Sequence, residues 1–290
     1  MLTAVIRGVS PRIGECQLTY MERQAIDYEK ACQQHSEYQR FLEAQGLNVI
    51  SLPPELDFPD GVFVEDTAVV VEEVAVVCIP ARQSRRGEVH SLAGVLENFR
   101  ALKFLEGAAT LEGGDVIIHD KTCFVGSSGR TNQQGVQQLR EILRPYDYDV
   151  RSVPITGCLH LSTGASSLGE RTILANPDWI DVSAFSGYEI VPVPPHEPWA
   201  ANLLHFGNSI VMPAAFPDTG KLLQERGFDV HTVDISEFMK AEAGVTCMSL
   251  IFEPEAGQPG VLANEIAGEE IRRSECYASQ ARRGAVAAKD

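Results

Sequence analysis

Two side chains in this 290-residue sequence have the types needed for covalent catalysis, although they lie far apart in the chain. They are Cys247, in "AGVTCMSL", and His160, in "GCLHLSTG". A thiol within reach of an imidazole is an arrangement for nucleophilic attack on an electrophilic carbon. Carboxylates accompany them: "TLEGGD" supplies Glu112 and Asp115, and "FPDGVFVEDTAV" supplies Asp60, Glu65 and Asp66. Anions gathered around a thiol raise its pKa, because they repel the thiolate. The cluster makes sense around a cationic substrate. A guanidinium would neutralise the carboxylates, stabilise the thiolate and present the carbon to be attacked. The Gly-Gly pair between Glu112 and Asp115 permits close backbone approach or positive φ, and carboxylates buried beside it need donors or a cation.

Taken singly, each of these residues has a plainer reading. A strand-end Asp forms turns, an isolated His is more often surface or satisfied core, and a Cys before an apolar run usually packs. Their placement in a repeating pattern argues for more. The pattern is an apolar hairpin with a short polar turn, a Ser/Thr/Pro-rich loop, and usually a helix. "TAVVVEEVAVVCIPARQS" leads into the helical "RRGEVHSLAGVLENFRAL", and "GDVIIHDKTCFVGSSGRT" leads into "NQQGVQQLREIL". "ASSLGERTILANPDWID" is a shorter version, and "LLHFGNSIVMPAAFPDT" precedes "GKLLQERG". The last strong strand, "CMSLIFE", and the first, "TAVIRGV", each lack a hairpin partner. Pairing them completes a fifth unit and closes a ring, which removes exposed sheet edges. The fold class expected is α/β, a five-bladed α/β propeller of pseudo-fivefold ββαβ units. It would occupy residues 1–255 as one domain, with 256–290 a C-terminal extension that is helical or partly disordered. The competing fold is an α+β domain whose hairpins merely look alike.

The composition narrows the function. Lys and Arg total 24 against 40 Asp and Glu, a net charge of −16, which disfavours nucleic acid and anionic membranes as partners. No apolar run approaches the ~20 residues that span a bilayer, and "MLTAVIRGVSP" has neither a basic n-region nor a long apolar h-region. Seven scattered cysteines without a CxxC pair point to reduced thiols and a cytoplasmic setting. Cys158-x-His160 could bind zinc, but two ligands do not make a structural site. No metal and no cofactor is expected; a homodimer is compatible with these readings.

Seven segments carry a family resemblance. "RGVSP", "DGVFVEDTAVV", "QSRRGEV", "LEGGDV", "GRTNQQG", "LHL" and "VTCMSL" occur in this order in the dimethylarginine dimethylaminohydrolases of the guanidine-modifying (pentein) superfamily. The similarity spans residues 2–253 and itself implies a five-bladed α/β propeller with a buried central site. By this resemblance Cys247 is the nucleophile, His160 the general acid and base, and Glu112 the carboxylate that orients His160. Glu65 and Asp66 would grip the guanidinium nitrogens, with Asp60 toward the amino-acid end. Arg85 and Arg130 resemble the arginines that take the substrate α-carboxylate, a use suited to a planar donor fork. Leu18 falls on the lid loop, and Ala241 where a backbone carbonyl meets the ligand.

The implied reaction is hydrolysis of N-omega-methylated arginines to citrulline and an alkylamine through a covalent thiouronium. Two positions depart from the family pattern. Related arginine deiminases carry an acidic residue two places after the site histidine, and many dimethylaminohydrolases carry Lys there; this chain has Ser162. Five residues before the nucleophile the expected Asp is Glu242. The rival readings are an arginine deiminase or another alkyl-guanidine or alkyl-urea hydrolase on the same scaffold, and a non-catalytic propeller that only binds.

Overall fold

The computed structural model describes residues 1–254, so the extension expected over 256–290 lies outside the described residues. Fifteen strands form five three-stranded sheets. The first comprises β1 (Thr3–Arg7) and β2 (Asn48–Leu52); the second β3 (Ala68–Val70), β4 (Val74–Val77) and β5 (Ala101–Phe104). The third comprises β6 (Val116–His119), β7 (Thr122–Ser127) and β8 (Asp149–Pro154). The fourth has β9 (Ala165–Ser167), β10 (Thr172–Ala175) and β11 (Glu189–Pro192), and the fifth β12 (Leu204–Phe206), β13 (Ser209–Pro213) and β14 (Asp229–Val233). The last strand, β15 (Ser249–Phe252), returns to the first sheet and pairs antiparallel with β1, from Thr3↔Phe252 to Ile6↔Ser249. That pairing closes the ring where the two unpartnered sequence strands required it.

Every sheet repeats one pattern. The inner strand pairs antiparallel with the middle strand, which pairs parallel with the outer one. Parallel neighbours need a crossover. It is supplied by α1 (Tyr28–Ala44), α2 (Val89–Leu96), α3 (Gln133–Leu143) and, in the fifth unit, α5 (Pro217–Glu225); the one-turn α4 (Leu161–Gly164) and α6 (Ser236–Met239) lie in loops. The fourth unit differs, because a single 3-10 turn at Val182–Phe185 replaces its helix and inserts Phe185 against Phe124, ring centroids 4.7 Å apart. Helices α1 and α3 begin at side-chain caps. Asp27 accepts from the Lys30 N–H at 3.1 Å, and Asn132 from the Gly135 N–H at 2.8 Å, which satisfies otherwise orphaned donors. The middle strands β1 and β4 are buried throughout. β4 is apolar throughout and β1 apolar between Thr3 and Arg7, because both of their faces are covered, and apolar clusters such as Val74, Val76, Cys123, Val125 and Leu139 join one sheet to the next.

The functional feature of the repeat is the turn ahead of each inner strand. Val64–Thr67 precedes β3, Gly113–Asp115 precedes β6, α4 precedes β9 and Thr246–Met248 precedes β15. These single helical turns pack against one another and, with the residue just ahead of two of them, carry Glu65, Asp66, Glu112, His160 and Cys247. In the fifth unit the corresponding place before β12 is an extended loop containing Asn202.

Candidate active site

Glu112 and His160 come from consecutive units and meet in the interior. His160 Nε2 lies 2.7 Å from Glu112 Oε2, with the two residues 3% and 0% exposed. The Gly-Gly pair makes this possible by close approach, and positive φ is not needed. A Cβ on Gly113 would stand 2.0 Å from the Glu65 carbonyl oxygen, and one on Gly114 would stand 2.8 Å from Asp66 Oδ1 and 2.9 Å from His160 Nδ1. Asp115 has a separate task. Its Oδ1 accepts the Leu161 N–H at 3.0 Å and its other oxygen accepts the Ser128 hydroxyl, so it fixes the turn that follows His160. Burial by itself would depress the imidazolium, but Asp66, Glu112 and Asp115 outweigh it and hold His160 at about 10. Glu112 is driven the opposite way: against its burial, the His160 hydrogen bond and the charges of His160, Arg85 and Arg130 keep it ionised far below the usual carboxylate range.

Both candidate arginines are buried and held. Arg85 donates through Nη1 to Asp66 Oδ2 at 2.7 Å and through Nη2 to Glu88 Oε2 at 2.9 Å, while its Nε bridges both Glu88 oxygens. Glu88 was not singled out from sequence; its only signal is a place three residues after Arg85. Arg130 Nη1 sits 3.3 and 3.4 Å from the Glu112 oxygens, and its Nη2 reaches Thr19 Oγ1 at 3.4 Å. Asp66, Glu112 and His160 also bring donor atoms within 4.8 Å of one another, as a metal would require. Protein partners already occupy them: Arg85 and the Gly114 N–H on Asp66, and Arg130 and the Ala81 N–H on Glu112. Cys158 turns away from such a role, its Sγ donating to the His160 carbonyl at 3.3 Å.

Cys247 is held from two sides. Its turn is anchored on α1 by Tyr38, whose hydroxyl donates to the Val245 carbonyl at 2.9 Å and accepts from Ser249 Oγ at 2.6 Å. At the sulfur, the Gly244 N–H donates at 3.4 Å. Thr246 Oγ1 donates to Glu65 Oε2 at 2.8 Å, and Ser162 Oγ lies 3.5 Å from the same oxygen. Burial first, then the charges of Glu65 and Asp66, push the thiol well above its usual range, against the Gly244 and Thr246 hydrogen bonds. The site is short of positive charge. Asp60, Glu65, Asp66, Glu88, Glu112 and Asp115 face two guanidiniums and one imidazole. Its carboxyls register the shortage: burial carries Glu65 up to about 7, with Asp66 adding to it, and burial carries Asp115 up to about 6. A cation entering here would relieve carboxylates and thiolate together.

The remaining candidates lie beside the segment that holds Gln17 to Met21. Asp60, buried, accepts the Gln17 N–H at 2.9 Å. Leu18, partly buried, packs against a cluster that includes Ala241 and Cys247. Glu242 explains its own departure from the expected Asp. Standing in a left-handed backbone conformation (φ 60°), it accepts three successive N–H groups, from Thr19, Tyr20 and Met21, at 2.9, 2.6 and 2.6 Å. The loop bearing Leu18 is thereby latched to the segment leading into Cys247. The structure joins His160, Glu112, Asp66, Arg85 and Arg130 in one hydrogen-bonded and ion-paired set; Glu65 bonds to Thr246 beside Cys247, Asp60 accepts from Gln17 next to Leu18, and Ala241 packs in the same cluster as Cys247.

The chain and its fold resemble those of known proteins. A family model described as N,N dimethylarginine dimethylhydrolase, eukaryotic, matches residues 11–250. The N(G),N(G)-dimethylarginine dimethylaminohydrolase of Streptomyces coelicolor is 38% identical over 252 residues, 85% of this chain and 95% of that one. A solved structure of the Pseudomonas aeruginosa enzyme, a cysteine-to-serine mutant complexed with citrulline, superposes with a TM-score of 0.83 at 32% identity, covering 87% of this chain and all of the other. A second dimethylarginine dimethylaminohydrolase structure, an adduct with S-methyl-L-thiocitrulline, gives 0.82 at 32% identity with the same coverage.

Proposed function

The chain belongs to the dimethylarginine dimethylaminohydrolase family, and on that premise we propose that it hydrolyses asymmetric dimethylarginine and monomethylarginine to citrulline and an alkylamine. The observation that carries the reading is the pairing of a cation-deficient carboxylate cluster with Cys247 and a His160 held 2.7 Å from Glu112. Glu65 and Asp66 grip the guanidinium, and its charge makes the thiolate affordable. Since Asp66, Glu112 and Asp115 hold His160 protonated at neutral pH against its burial, the thiol proton leaves the protein as the substrate cation enters. Cys247 attacks the guanidinium carbon. His160, with Nε2 committed to Glu112, gives its proton to the departing amine, and the C–N bond breaks. Water, deprotonated by His160, then attacks the thiouronium carbon, and collapse expels the Cys247 thiolate. The exclusion of bulk water lets the fixed carboxylates act at full strength on the delocalised positive charge.

Arg130, with Nη2 directed at Thr19 of the latched loop, receives the α-carboxylate together with Arg85. Asp60 and the Ala241 carbonyl take the α-amino end beneath Leu18. Ser162 offers a small hydroxyl where an acidic side chain would favour an unsubstituted nitrogen, which leaves space for N-methyl groups and disfavours plain arginine deimination. The six described cysteines are unpaired, as a reduced, cytoplasmic compartment requires. No helix among the described residues is long and apolar enough to cross a membrane. The test is citrulline formation from dimethylarginine, monomethylarginine and arginine side by side, with intact-mass detection of an adduct trapped on Cys247. Turnover of arginine faster than of either methylated substrate overturns the assignment.

Two further outcomes are expected. At pH 7 a neutral haloacetamide inactivates the protein at least about 100-fold more slowly than the cationic haloacetamidine of the same shape, because only the cation promotes thiolate formation. Equal inactivation rates would remove substrate charge from the mechanism. Glu242→Asn tolerates the left-handed backbone but is uncharged and a methylene shorter. It raises KM about tenfold with kcat changed much less, through loss of charge-assisted hydrogen bonds that hold the loop. A steady-state kcat/KM split decides that point.

A further inference from the structure

We propose that Asn202 is a positioning residue for the reaction, setting the direction of the hydrogen bond that reaches Glu65 through Thr246. It is the fifth unit's contribution to the site, 3% exposed in the loop ahead of β12. Its amide touches the two turns that carry the reacting side chains. Nδ2 donates to the Ser162 carbonyl at 2.9 Å and to Thr246 Oγ1 at 2.9 Å, and Oδ1 accepts the Thr246 N–H at 3.1 Å. Ser162 lies two residues after His160, and Thr246 is next to Cys247.

Donor and acceptor rules leave this network one polarity. The Thr246 N–H can only donate, so the atom facing it is Oδ1, and Nδ2 must then face the threonine hydroxyl. Nδ2 can only donate, so Thr246 Oγ1 accepts from it. The hydroxyl's single hydrogen is left for Glu65 Oε2, 2.8 Å away. Asn202 thus obliges Glu65 to present this oxygen as an acceptor, which favours the carboxylate that a guanidinium needs. Any proton on Glu65 is confined to the other oxygen. The same amide backs the sulfur's own donor. A Cβ on Gly244 would stand 2.1 Å from Asn202 Oδ1, so only glycine lets the Gly244 N–H reach Cys247 across the face of Asn202.

The inference rests on Glu65 and Cys247 serving as described above, and three variants test it. Asn202→Asp keeps the shape but accepts the Thr246 hydrogen, pulling it from Glu65. Thr246→Val removes the link, and Thr246→Ser retains it. The acid limb of the kcat/KM profile for dimethylarginine is expected to move up by about one pH unit in Asn202→Asp and Thr246→Val, the effect of losing one hydrogen bond to a charged form. In Thr246→Ser the limb returns to the parent position. A residue that merely filled space would lower activity without moving the limb. Parent-like limbs in both Asn202→Asp and Thr246→Val, or a Thr246→Ser limb displaced as far as that of Thr246→Val, overturn the proposal. If Asn202→Asp does not fold, the Val and Ser pair decides alone. Should the parent form no adduct on Cys247, the nucleophile assignment has failed instead, and the trapped-mass measurement separates the two cases.

Discussion

Cys247→Ser folds as the parent does and turns over dimethylarginine at least roughly 10⁴-fold more slowly, since loss of a covalent nucleophile removes the pathway and leaves only binding and polarisation. The substitution is nearly isosteric at a residue 9% exposed. A serine hydroxyl still receives the Gly244 N–H, and Tyr38 still anchors Val245 and Ser249. Serine cannot replace the chemistry. Burial, and then the neighbouring Glu65 and Asp66, already push the thiol upward, and an alkoxide there starts from a far more basic group. Substrate charge can bring a thiol into range but not an alcohol. Kinetics, thermal unfolding and intact mass together check this: rate lost, midpoint retained, no adduct. A residual rate within tenfold of the parent would assign the nucleophile elsewhere.

How far the sequence foretold this site depends on the range of each interaction. The repeat was legible because every hairpin is local, with two apolar runs around a turn such as Asp120-Lys121 between β6 and β7. Closure through β1 and β15 followed from two strands left without partners. The meeting of Glu112 with His160 was legible only as corresponding places in successive units and through the family resemblance. The hydrogen bonds that assign duties were beyond reach. Glu112 and Asp115 are three residues apart, yet one turns to His160 and the other to the Leu161 backbone, a division made by the short turn between them. Glu88 and Asn202 carry no chemical signature in sequence. Their importance comes from burial beside a charge and beside Thr246, which only the assembled ring determines. The fourth unit's missing helix was visible as a short segment, but the filling of its space by Phe185 was not.

Glu112→Gln carries the second large effect, and here charge rather than shape is tested. The amide keeps one acceptor for His160, but its NH₂ then confronts Arg130 Nη1 or the Ala81 N–H, donors that the carboxylate satisfies. Removing one partner of a buried ion pair leaves the other uncompensated, at a cost of roughly 3–5 kcal/mol. The pH dependence of stability separates this from a packing loss. His160 is raised to about 10, so its contribution is complete below its unfolded value, about 6.5, and is lost as pH rises through 10. Glu112 is depressed, so its contribution is complete above its unfolded value, about 4.3, and is lost as pH falls below it. The pair's own contribution is therefore flat between roughly pH 4.3 and 6.5 and slopes away on both sides, superimposed on the decline from about pH 4 to 7 that the raised Glu65 and Asp115 impose. Glu112→Gln flattens the acid slope and moves the alkaline slope to lower pH, because the imidazolium has lost its nearest anion. In the reaction the same loss leaves His160 poorly aimed and less protonated at neutral pH. A fall in kcat of roughly 10²–10³-fold is expected, within the range for general acid–base catalysis, with KM little changed because Glu65 and Asp66 still hold the guanidinium. Thermal unfolding across pH 3–10, alongside steady-state kinetics, measures both. If the variant keeps the parent's pH profile of stability and a kcat within threefold, Glu112 neither charges nor aims His160, and the acid–base role has to be sought in the Asp66 contact instead.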